Sequence, residues 1–137
     1  MNVENEKKQN GGKKRLLLVD DDVDITNSFS LALEDSGLFL VDTYNDPLAA
    51  LSNYGPNSYD LLLLDIKMPE MNGFELYEQI KKLDNKVKAC FISANDVAAL
   101  REQFPSFKIH CLIPEDIIQK PTEVSKLIER IELELLT

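Results

Sequence analysis

The sequence predicts an α/β protein built on an open parallel sheet. Short, wholly apolar runs such as residues 16–19 and 61–64 are typical of strands that are buried on both faces of such a sheet. Between these runs lie longer segments in which apolar residues recur at helical spacing. Strands that alternate with helices form repeated βα units, which place helices on both faces of the sheet and use right-handed crossovers. A chain of 137 residues suits one such domain.

Each predicted element has its own signal in the sequence. Apolar runs place the strands at residues 16–19, 39–44, 59–64, 87–92 and 117–119. Residues 107–113 also have the composition of a strand, but residues 117–119 are the better candidate for the fifth. Helical spacing places the helices from about residue 23, from 47, from about 74 to 82, from about 96 to 104 and after 122. The apolar residues expected on the buried sides of the first, third and last helices are Phe29, Ala32, Leu33, Phe74, Tyr77, Ile80, Val124, Leu127, Ile128, Ile131 and Leu135.

Capping residues mark several of the helix ends. Gly37 follows the first helix as a left-handed cap, because glycine adopts a positive φ without a steric penalty. Asp46 is expected to cap the second helix, with Pro47 at the first helical position, where the missing N–H is not needed. Thr122 is the predicted cap of the last helix.

The charge of the chain is divided unevenly. The net charge is −9, but residues 1–15 carry a balance of +3 and the remaining residues one of −12. A body this acidic repels a phosphate backbone, so direct binding of nucleic acid is not expected. Residues 1–14 offer no apolar face and are predicted to form a flexible basic tail, with the folded domain at residues 15–137.

The sequence also bears on the compartment. No apolar run approaches the roughly 20 residues that cross a bilayer, and the N-terminus lacks the apolar stretch of a secretory signal. We therefore expect a cytoplasmic protein without membrane contact, in which Cys90 and Cys111 are reduced core thiols.

Polar residues follow the predicted strands at the edge where ligands bind in such sheets. Residues 20–22 are three consecutive aspartates after the first strand, Asp65 follows the third strand, Ser93 the fourth and Lys120 the fifth. Taken singly, Ser93 has the ordinary interpretation of a turn residue and Lys120 that of a surface lysine, while the last acids of the first run suit the positive end of a helix dipole. Their joint order at successive strand ends favours a functional site.

The carboxylates in this set predict a metal ion. Asp20 and Asp21 directly follow a buried strand and should meet Asp65 at the end of its neighbour. Two like charges about 4 Å apart repel by about 4 kcal/mol at an effective dielectric of about 20, which favours either protonation or a bound cation. Oxygen ligands with positions left for water suit Mg²⁺ better than a transition metal. An EF-hand calcium loop is excluded, because its sixth and twelfth positions, counted from Asp20, are Ile25 and Leu31.

Asp65 is the candidate nucleophile of this site, since carboxylates can form aspartyl phosphates. A phosphoryl group that arrives in line presents three oxygens whose charge must be met by donors and cations. We expect Mg²⁺ to meet one oxygen, the Ser93 hydroxyl and an adjacent backbone N–H the second, and the Lys120 ammonium the third.

Together these motifs resemble the receiver domain of two-component response regulators, over residues 15–137. The resemblance rests on Leu-Leu-Val-Asp-Asp at 17–21, Leu-Asp-Ile-Lys-Met-Pro-Glu-Met-Asn-Gly at 64–73, Ser-Ala at 93–94 and Lys-Pro at 120–121. It implies a flavodoxin-like (βα)₅ fold, in which a doubly wound, five-stranded parallel sheet has the strand order 2-1-3-4-5.

The resemblance also implies roles for single residues. Asp65 would accept a phosphoryl group from the phosphohistidine of a histidine kinase or a histidine phosphotransfer protein. Asp21 and Asp65 would supply carboxylates to Mg²⁺, or to Mn²⁺ in its place, Asp20 would act largely through water, and Lys67 would supply its backbone carbonyl. The Lys120–Pro121 bond resembles the cis peptide of the family.

The sequence departs from the family pattern in two places. Ile117 stands where receivers usually carry an aromatic residue, so an activation switch here cannot use an aromatic ring. Residues 105–114 form an insert in the region through which such domains contact partners, and His110 within it is expected to be structural. The family also implies that Lys67 and Asn95, two positions beyond the acceptor and the hydroxyl residue, set the lifetime of the aspartyl phosphate.

Signalling is expected to pass by docking to a separate, unidentified protein, because no chain follows Thr137 to form an output domain. We expect a monomer or a weak dimer that is not an enzyme beyond the self-catalysed phosphorylation and dephosphorylation of Asp65. Two alternatives stay open: a phosphorylation-independent receiver that acts as a protein-interaction scaffold, and a phosphatase or phosphotransferase that works through an aspartyl phosphate. The phosphatase pattern of haloacid dehalogenases needs a second aspartate where Lys67 stands.

Overall fold

The computed structural model describes residues 12–94, 97–103, 117–120 and 123–136. Within these ranges strands and helices alternate along the chain. The strands are β1 (Lys14–Val19), β2 (Phe39–Tyr44), β3 (Leu61–Asp65), β4 (Lys88–Ser93) and β5 (Ile117–Gln119). The helices are α1 (Val23–Asp35), α2 (Pro47–Ser52), α3 (Gly73–Leu83), α4 (Val97–Gln103) and α5 (Val124–Leu136).

All strand pairs are parallel, and the order across the sheet is β2-β1-β3-β4-β5. The chain therefore leaves β1 for one neighbour and later returns to pair β3 on the other side. This reversal of the winding places a crevice between the carboxyl ends of β1 and β3, where ligands bind in doubly wound sheets. The predicted α/β class with a parallel sheet is confirmed.

The sheet is buried on both faces because alternate residues of its central strands enter two separate cores. One core holds α1 and α5 against the sheet, and its buried members include Leu16, Leu18, Leu33, Leu61, Leu63, Cys90, Ile92, Ile118, Leu127 and Ile131. The other core packs α2, α3 and α4 and includes Leu17, Val19, Ala50, Leu62, Leu64, Leu76, Ile80, Phe91 and Leu100. The apolar runs lack an alternating pattern because neither face meets water.

Two of the predicted caps, Gly37 and Asp46, lie where the sequence placed them, while the third, Thr122, is outside the described residues. Gly37 has a φ of +79° after α1, and Asp46 accepts a hydrogen bond from the backbone N–H of Leu48 at the start of α2. Asp22 caps α1 by accepting a hydrogen bond from the Asp24 N–H. These short-range contacts satisfy helix N–H groups that have no partner within the helix.

Three expectations about burial and strand limits need correction. Val124 is 40% exposed and is not part of the buried face of α5, whereas Leu76 in α3 is fully buried although it was not predicted to be. The third strand begins at Leu61 rather than at Tyr59. Asp60 contacts β1 through its backbone N–H, which donates to the Arg15 carbonyl, and through its carboxylate, which accepts from the Arg15 N–H. The Tyr59 hydroxyl donates to Asp42 of β2.

Several expectations lie outside the described residues. They concern the tail at residues 1–11, Asn95, Phe104, the insert at 105–114, Cys111, Pro121 and Thr122, together with the side chain of Ile117. Among the helices that the structure describes, none is long and apolar enough to cross a membrane.

Candidate functional site

Three carboxylates meet at the carboxyl edge of the sheet. Asp20 follows β1 and Asp65 ends β3, and because Val19 pairs with Leu64 in the register of these strands, the two aspartates lie side by side. One oxygen from each of Asp20, Asp21 and Asp65 falls within 4.8 Å of the others. Asp20 is fully buried and Asp65 is 5% exposed, whereas Asp21 is exposed to solvent. The predicted meeting of these side chains is confirmed.

A lysine lies between two of the carboxylates. The Lys120 Nζ is 3.0 Å from Asp20 Oδ2 and 3.2 Å from Asp65 Oδ1. Its backbone N–H donates to the Ser93 carbonyl, which continues the pairing of β4 with β5 by one residue. The end of β5 is thereby fixed beside the end of β4, and the ammonium reaches across to the crevice between β1 and β3.

Asp20 is held at every polar atom. Its backbone N–H donates to the Tyr44 carbonyl at 3.1 Å, and its own carbonyl accepts from the Asn45 side chain at 2.8 Å. Its Oδ1 accepts from the Asp22 N–H at 2.9 Å, while Oδ2 accepts from Lys120. A carboxylate that is removed from water needs such partners, and here they also fix its orientation.

Asp65 is in a less favourable environment. The pKa of its carboxyl group is raised from 3.8 to about 7, mainly by burial and then by the negative charge of Asp20, with a smaller contribution from Asp21. The nearby Lys120 ammonium acts in the opposite direction. Burial also lowers the pKa of Lys120, but the hydrogen bond to Asp20 and the charges of both carboxylates outweigh it, so that pKa is raised.

The charge balance of the site fits a hard divalent cation. Three carboxylates face one ammonium, and the raised pKa of Asp65 shows that this ammonium does not compensate its charge. The donor set consists of carboxylate oxygens, which suits Mg²⁺ and Mn²⁺ and not metals that prefer nitrogen or sulfur ligands. The residues present therefore fit the ion that the sequence predicted.

Two more of the predicted site residues lie next to this cluster. Ser93 is 2% exposed and ends β4, one residue beyond the pairing of Asp65 with Ile92. Lys67 is exposed and lies two residues after Asp65, in the loop that leads to α3. Neither position contradicts the role that was expected for the residue.

Gly73 also supports the site, and the sequence analysis did not single it out. A Cβ at this position would collide with the carbonyl oxygen of Asp65. The Gly73 N–H donates to the Ile66 carbonyl at 2.9 Å, so α3 begins directly against the backbone that carries Asp65. Its place at the end of the motif at residues 64–73 was the available signal, but the motif alone does not reveal the close approach.

The comparisons with known proteins agree on one family. The family model of the response regulator receiver domain matches residues 16–132. The response regulator receiver protein CpdR of Brucella abortus is 31% identical over 90% of this chain and 98% of its own length. The CpxR homolog of Haemophilus influenzae, a transcriptional regulatory protein, is 46% identical over 71 residues, which are 52% of this chain and only 30% of that protein.

The solved structures agree with this result. The non-phosphorylated HemR receiver domain of Leptospira biflexa superposes with a TM-score of 0.74 at 29% identity. The match covers 91% of this chain and 96% of that domain. The fold is therefore the flavodoxin-like fold of that group, and the residues brought together at the carboxyl edge lie within the matched part of the chain.

Proposed function

This chain belongs to the response regulator receiver domain family, and on that premise we propose that Asp65 accepts a phosphoryl group from a histidine kinase or a histidine phosphotransfer protein in a Mg²⁺-dependent reaction. The observation that carries the proposal is the cluster of Asp20, Asp21 and Asp65 with the Lys120 ammonium between two of them. A nucleophile, a place for a cation and a fixed positive charge thus lie within reach of one another.

The two oxygens of Asp65 differ in their surroundings. Its Oδ1 accepts a hydrogen bond from Lys120, while none of the described residues donates one to Oδ2. In the proposed step Oδ2 attacks the phosphorus of the donor, the new O–P bond forms as the P–N bond to the donor histidine breaks, and the leaving imidazole takes up a proton. The reaction needs the ionised carboxylate, so a bound cation that lowers the raised pKa of Asp65 would favour it.

Mg²⁺ would be held by Asp20, Asp21 and Asp65, with the backbone carbonyl of Lys67 as a further ligand. When bound, it neutralises negative charge on the carboxylates and on the oxygens of the transferring group. Asp20 contributes a carboxylate whose orientation its other contacts already fix. Such preorganisation lowers the cost of assembling the charged site.

Lys120 and Ser93 would contact the phosphoryl group once it is on Asp65. The Nζ of Lys120 lies 3.2 Å from Asp65 Oδ1, so a phosphoryl group on the neighbouring oxygen falls within its reach. The Ser93 hydroxyl is buried at the end of the adjoining strand. The phosphoryl group of an aspartyl phosphate carries up to about two negative charges at pH 7, which these donors and the metal ion would have to meet.

We further propose that the chain signals by docking to a separate protein from a domain at residues 15–137, with residues 1–14 as a basic tail. The match to CpdR, a response regulator receiver protein, covers 98% of that protein. Since the phosphoryl groups of histidine kinases come from ATP, the proposal places the reaction in the cytoplasm. A phosphorylation-independent scaffold is the second candidate, and Ile117 and the insert at 105–114 favour it.

The test of this function is chemical modification of Asp65. Acetyl phosphate with Mg²⁺ should add one phosphoryl group to the wild-type protein, and intact-protein mass spectrometry detects it. Asp65→Asn should stay unmodified, because the amide oxygen is a poor nucleophile. Asp42→Asn is the matched control, and it should be modified like the wild type. Equal modification of the wild type and Asp65→Asn would reject the proposal, and full partner regulation by Asp65→Ala would favour the scaffold.

The residues that set the lifetime of the product form a separate proposal. Lys67 lies in the exposed loop two residues after Asp65, where its side chain can influence the approach of water to the phosphoryl group. We expect the dephosphorylation rates of Lys67→Ala and Asn95→Ala to differ from the wild-type rate. Unchanged rates in both variants would reject this role.

A further inference from the structure

We propose that Asn45 is a positioning residue for the metal site, and that it acts on the turn that carries Asp20 and Asp21. Asn45 follows β2 directly and is not itself one of the clustered acids. The inference rests on the proposed function, because it concerns how the Mg²⁺ ligands of that function are held. The inference gives the loop after β2 a role at the metal site, and the sequence alone does not indicate this role for a loop asparagine.

The Asn45 side chain joins two parts of the chain. Its Nδ2 donates to the Asp20 carbonyl at 2.8 Å and to Thr26 Oγ1 at 2.9 Å. Thr26 Oγ1 itself donates to the Val23 carbonyl at 3.1 Å, so it can only accept from Asn45. Both partners of the amide are thus acceptors, so the amide faces them with its nitrogen and not with its oxygen.

These contacts extend the pairing of β1 with β2 beyond its last backbone bond. That bond runs from the Asp20 N–H to the Tyr44 carbonyl, and Asn45 adds a bond to the carbonyl on the other side of Asp20. The chain then passes through Asp21 into α1. Since Thr26 lies in the first turns of α1 and is 1% exposed, its hydroxyl is a fixed anchor for the amide.

The Asn45 side chain consequently contacts the chain both before and after the turn that carries the two carboxylates. Without it, the Asp20 carbonyl loses its protein donor and the turn loses its link to α1. Residues that orient metal ligands in this way typically change metal affinity by about 10-fold to 100-fold when they are replaced. Asn45 acts through the main chain and is itself exposed, so we expect an effect near the lower limit.

The experiment measures Mg²⁺ affinity without any phosphorylation. The thermal midpoint of unfolding is recorded against Mg²⁺ concentration, and the dissociation constant is taken from the stabilisation that ligand binding produces. Asn45→Ala should bind Mg²⁺ about 10-fold more weakly than the wild type. Asn53→Ala is the matched control, because Asn53 also donates its Nδ2 to a backbone carbonyl, that of Ala49, but at the far end of α2.

A second pair of variants separates positioning from general destabilisation. Thr26→Val removes the hydroxyl that anchors Asn45 and should weaken Mg²⁺ binding, while Thr26→Ser keeps the hydroxyl and should restore most of the affinity. Modification by acetyl phosphate should be slow in Asn45→Ala at low Mg²⁺ and should return toward the wild-type rate when Mg²⁺ is saturating. A purely structural role predicts no such recovery.

The outcomes distinguish this inference from the proposed function. If the wild type binds Mg²⁺ but Asn45→Ala and Asn53→Ala have equal affinities, the role of Asn45 is refuted and the proposed function stands. Equal affinities of Thr26→Val and Thr26→Ser refute it in the same way. If the wild type binds no Mg²⁺, the metal site fails and the role of Asn45 fails with it.

Discussion

Neutralising the Asp65 carboxyl group should stabilise the metal-free protein. Asp65 is 5% exposed and lies beside Asp20, and burial together with that charge raises its pKa to about 7. The ionised form is therefore costly in the folded state and not in the unfolded chain. Asp65→Asn keeps the shape of the side chain and removes the charge, so it removes this cost while an oxygen still faces Lys120.

The magnitude follows from the difference in pKa. An unfolded Asp loses its proton near pH 3.8 and the folded protein retains the Asp65 proton up to about pH 7. The folded state binds more protons in this window, so the contribution of Asp65 to stability is complete below about pH 4 and is lost as the pH rises to 7. The difference corresponds to at most about 4 kcal/mol, which relaxation and screening reduce to about 2 kcal/mol.

Urea unfolding in EDTA measures this effect, and thermal unfolding confirms it. At pH 8 Asp65→Asn should be more stable than the wild type by about 2 kcal/mol, or by about 8 °C in midpoint for a domain of this size. The difference should shrink toward zero at pH 4, since the wild-type carboxyl group is then protonated as well.

An Asp→Asn substitution at Asp42 should change stability in the opposite direction. Asp42 accepts hydrogen bonds from Arg15 and from the Tyr59 hydroxyl, both at 2.7 Å. Because its charge is paired, Asp42→Asn should lower stability at pH 8 by about 0.5–1 kcal/mol. If Asp65→Asn were no more stable than the wild type at pH 8, or if its advantage persisted unchanged at pH 4, the electrostatic account of the site would be wrong.

Three further predictions concern other positions of the fold. Glu70 has a φ of +70°, so Glu70→Gly should raise stability by about 0.5–1 kcal/mol in urea unfolding, and a loss would show that its side chain matters more than its backbone. Gly73→Ala should lower stability by about 1–3 kcal/mol and slow the modification of Asp65, because its Cβ meets the Asp65 carbonyl; wild-type stability and rate would contradict this. Burial and the hydrogen bond to Asp84 raise the pKa of Tyr54, so an absorbance titration should find this phenol still protonated above pH 10. Unfolded tyrosines ionise in that range, so the stability of the folded protein should fall there. Tyr54→Phe should remove one late-ionising group from the titration.

The fold could be predicted where local signals decide it. The apolar runs gave the interiors of the strands, and Asp46 and Gly37 marked helix ends through contacts within a few residues. The limits of strands depend on partners distant in sequence: β1 begins at Lys14 because it pairs with Phe39. No periodic pattern within one segment contains that information.

The packing of α3 shows what helical spacing cannot decide. Its buried residues are Gly73, Phe74, Leu76 and Ile80, so Phe74 and Ile80 of the predicted stripe are confirmed, while Tyr77 is only half-buried and Leu76 was missed. Gly73 lets the start of the helix lie against the backbone at Asp65. The sequence shows that α3 is amphipathic, but the closest approach to the sheet depends on one missing side chain.

The residues of the candidate site were accessible from sequence because their chemical types follow successive strands of a parallel sheet. Asp20, Asp21, Asp65 and Lys120 are brought together by strand order alone. Asn45 was not accessible, because an exposed asparagine after a strand is common in turns. Its contact with Asp20 follows from the register of β1 and β2, which only the folded structure contains.

The two buried carboxylates of the site are prepared for different tasks. Asp20 has a partner at each of its polar atoms, whereas Asp65 receives a hydrogen bond from the described residues at Oδ1 alone. A fully partnered carboxylate costs little to keep charged and in place, so it can serve a metal ion without rearranging. Under the proposed function, Asp65 is the carboxylate that would be converted to an acyl phosphate, a step that removes the charge of the buried carboxylate itself. Because Lys120 contacts both groups, a phosphoryl group on Asp65 under the proposed function would compete with Asp20 for the same ammonium, which is carried by the residue directly after β5.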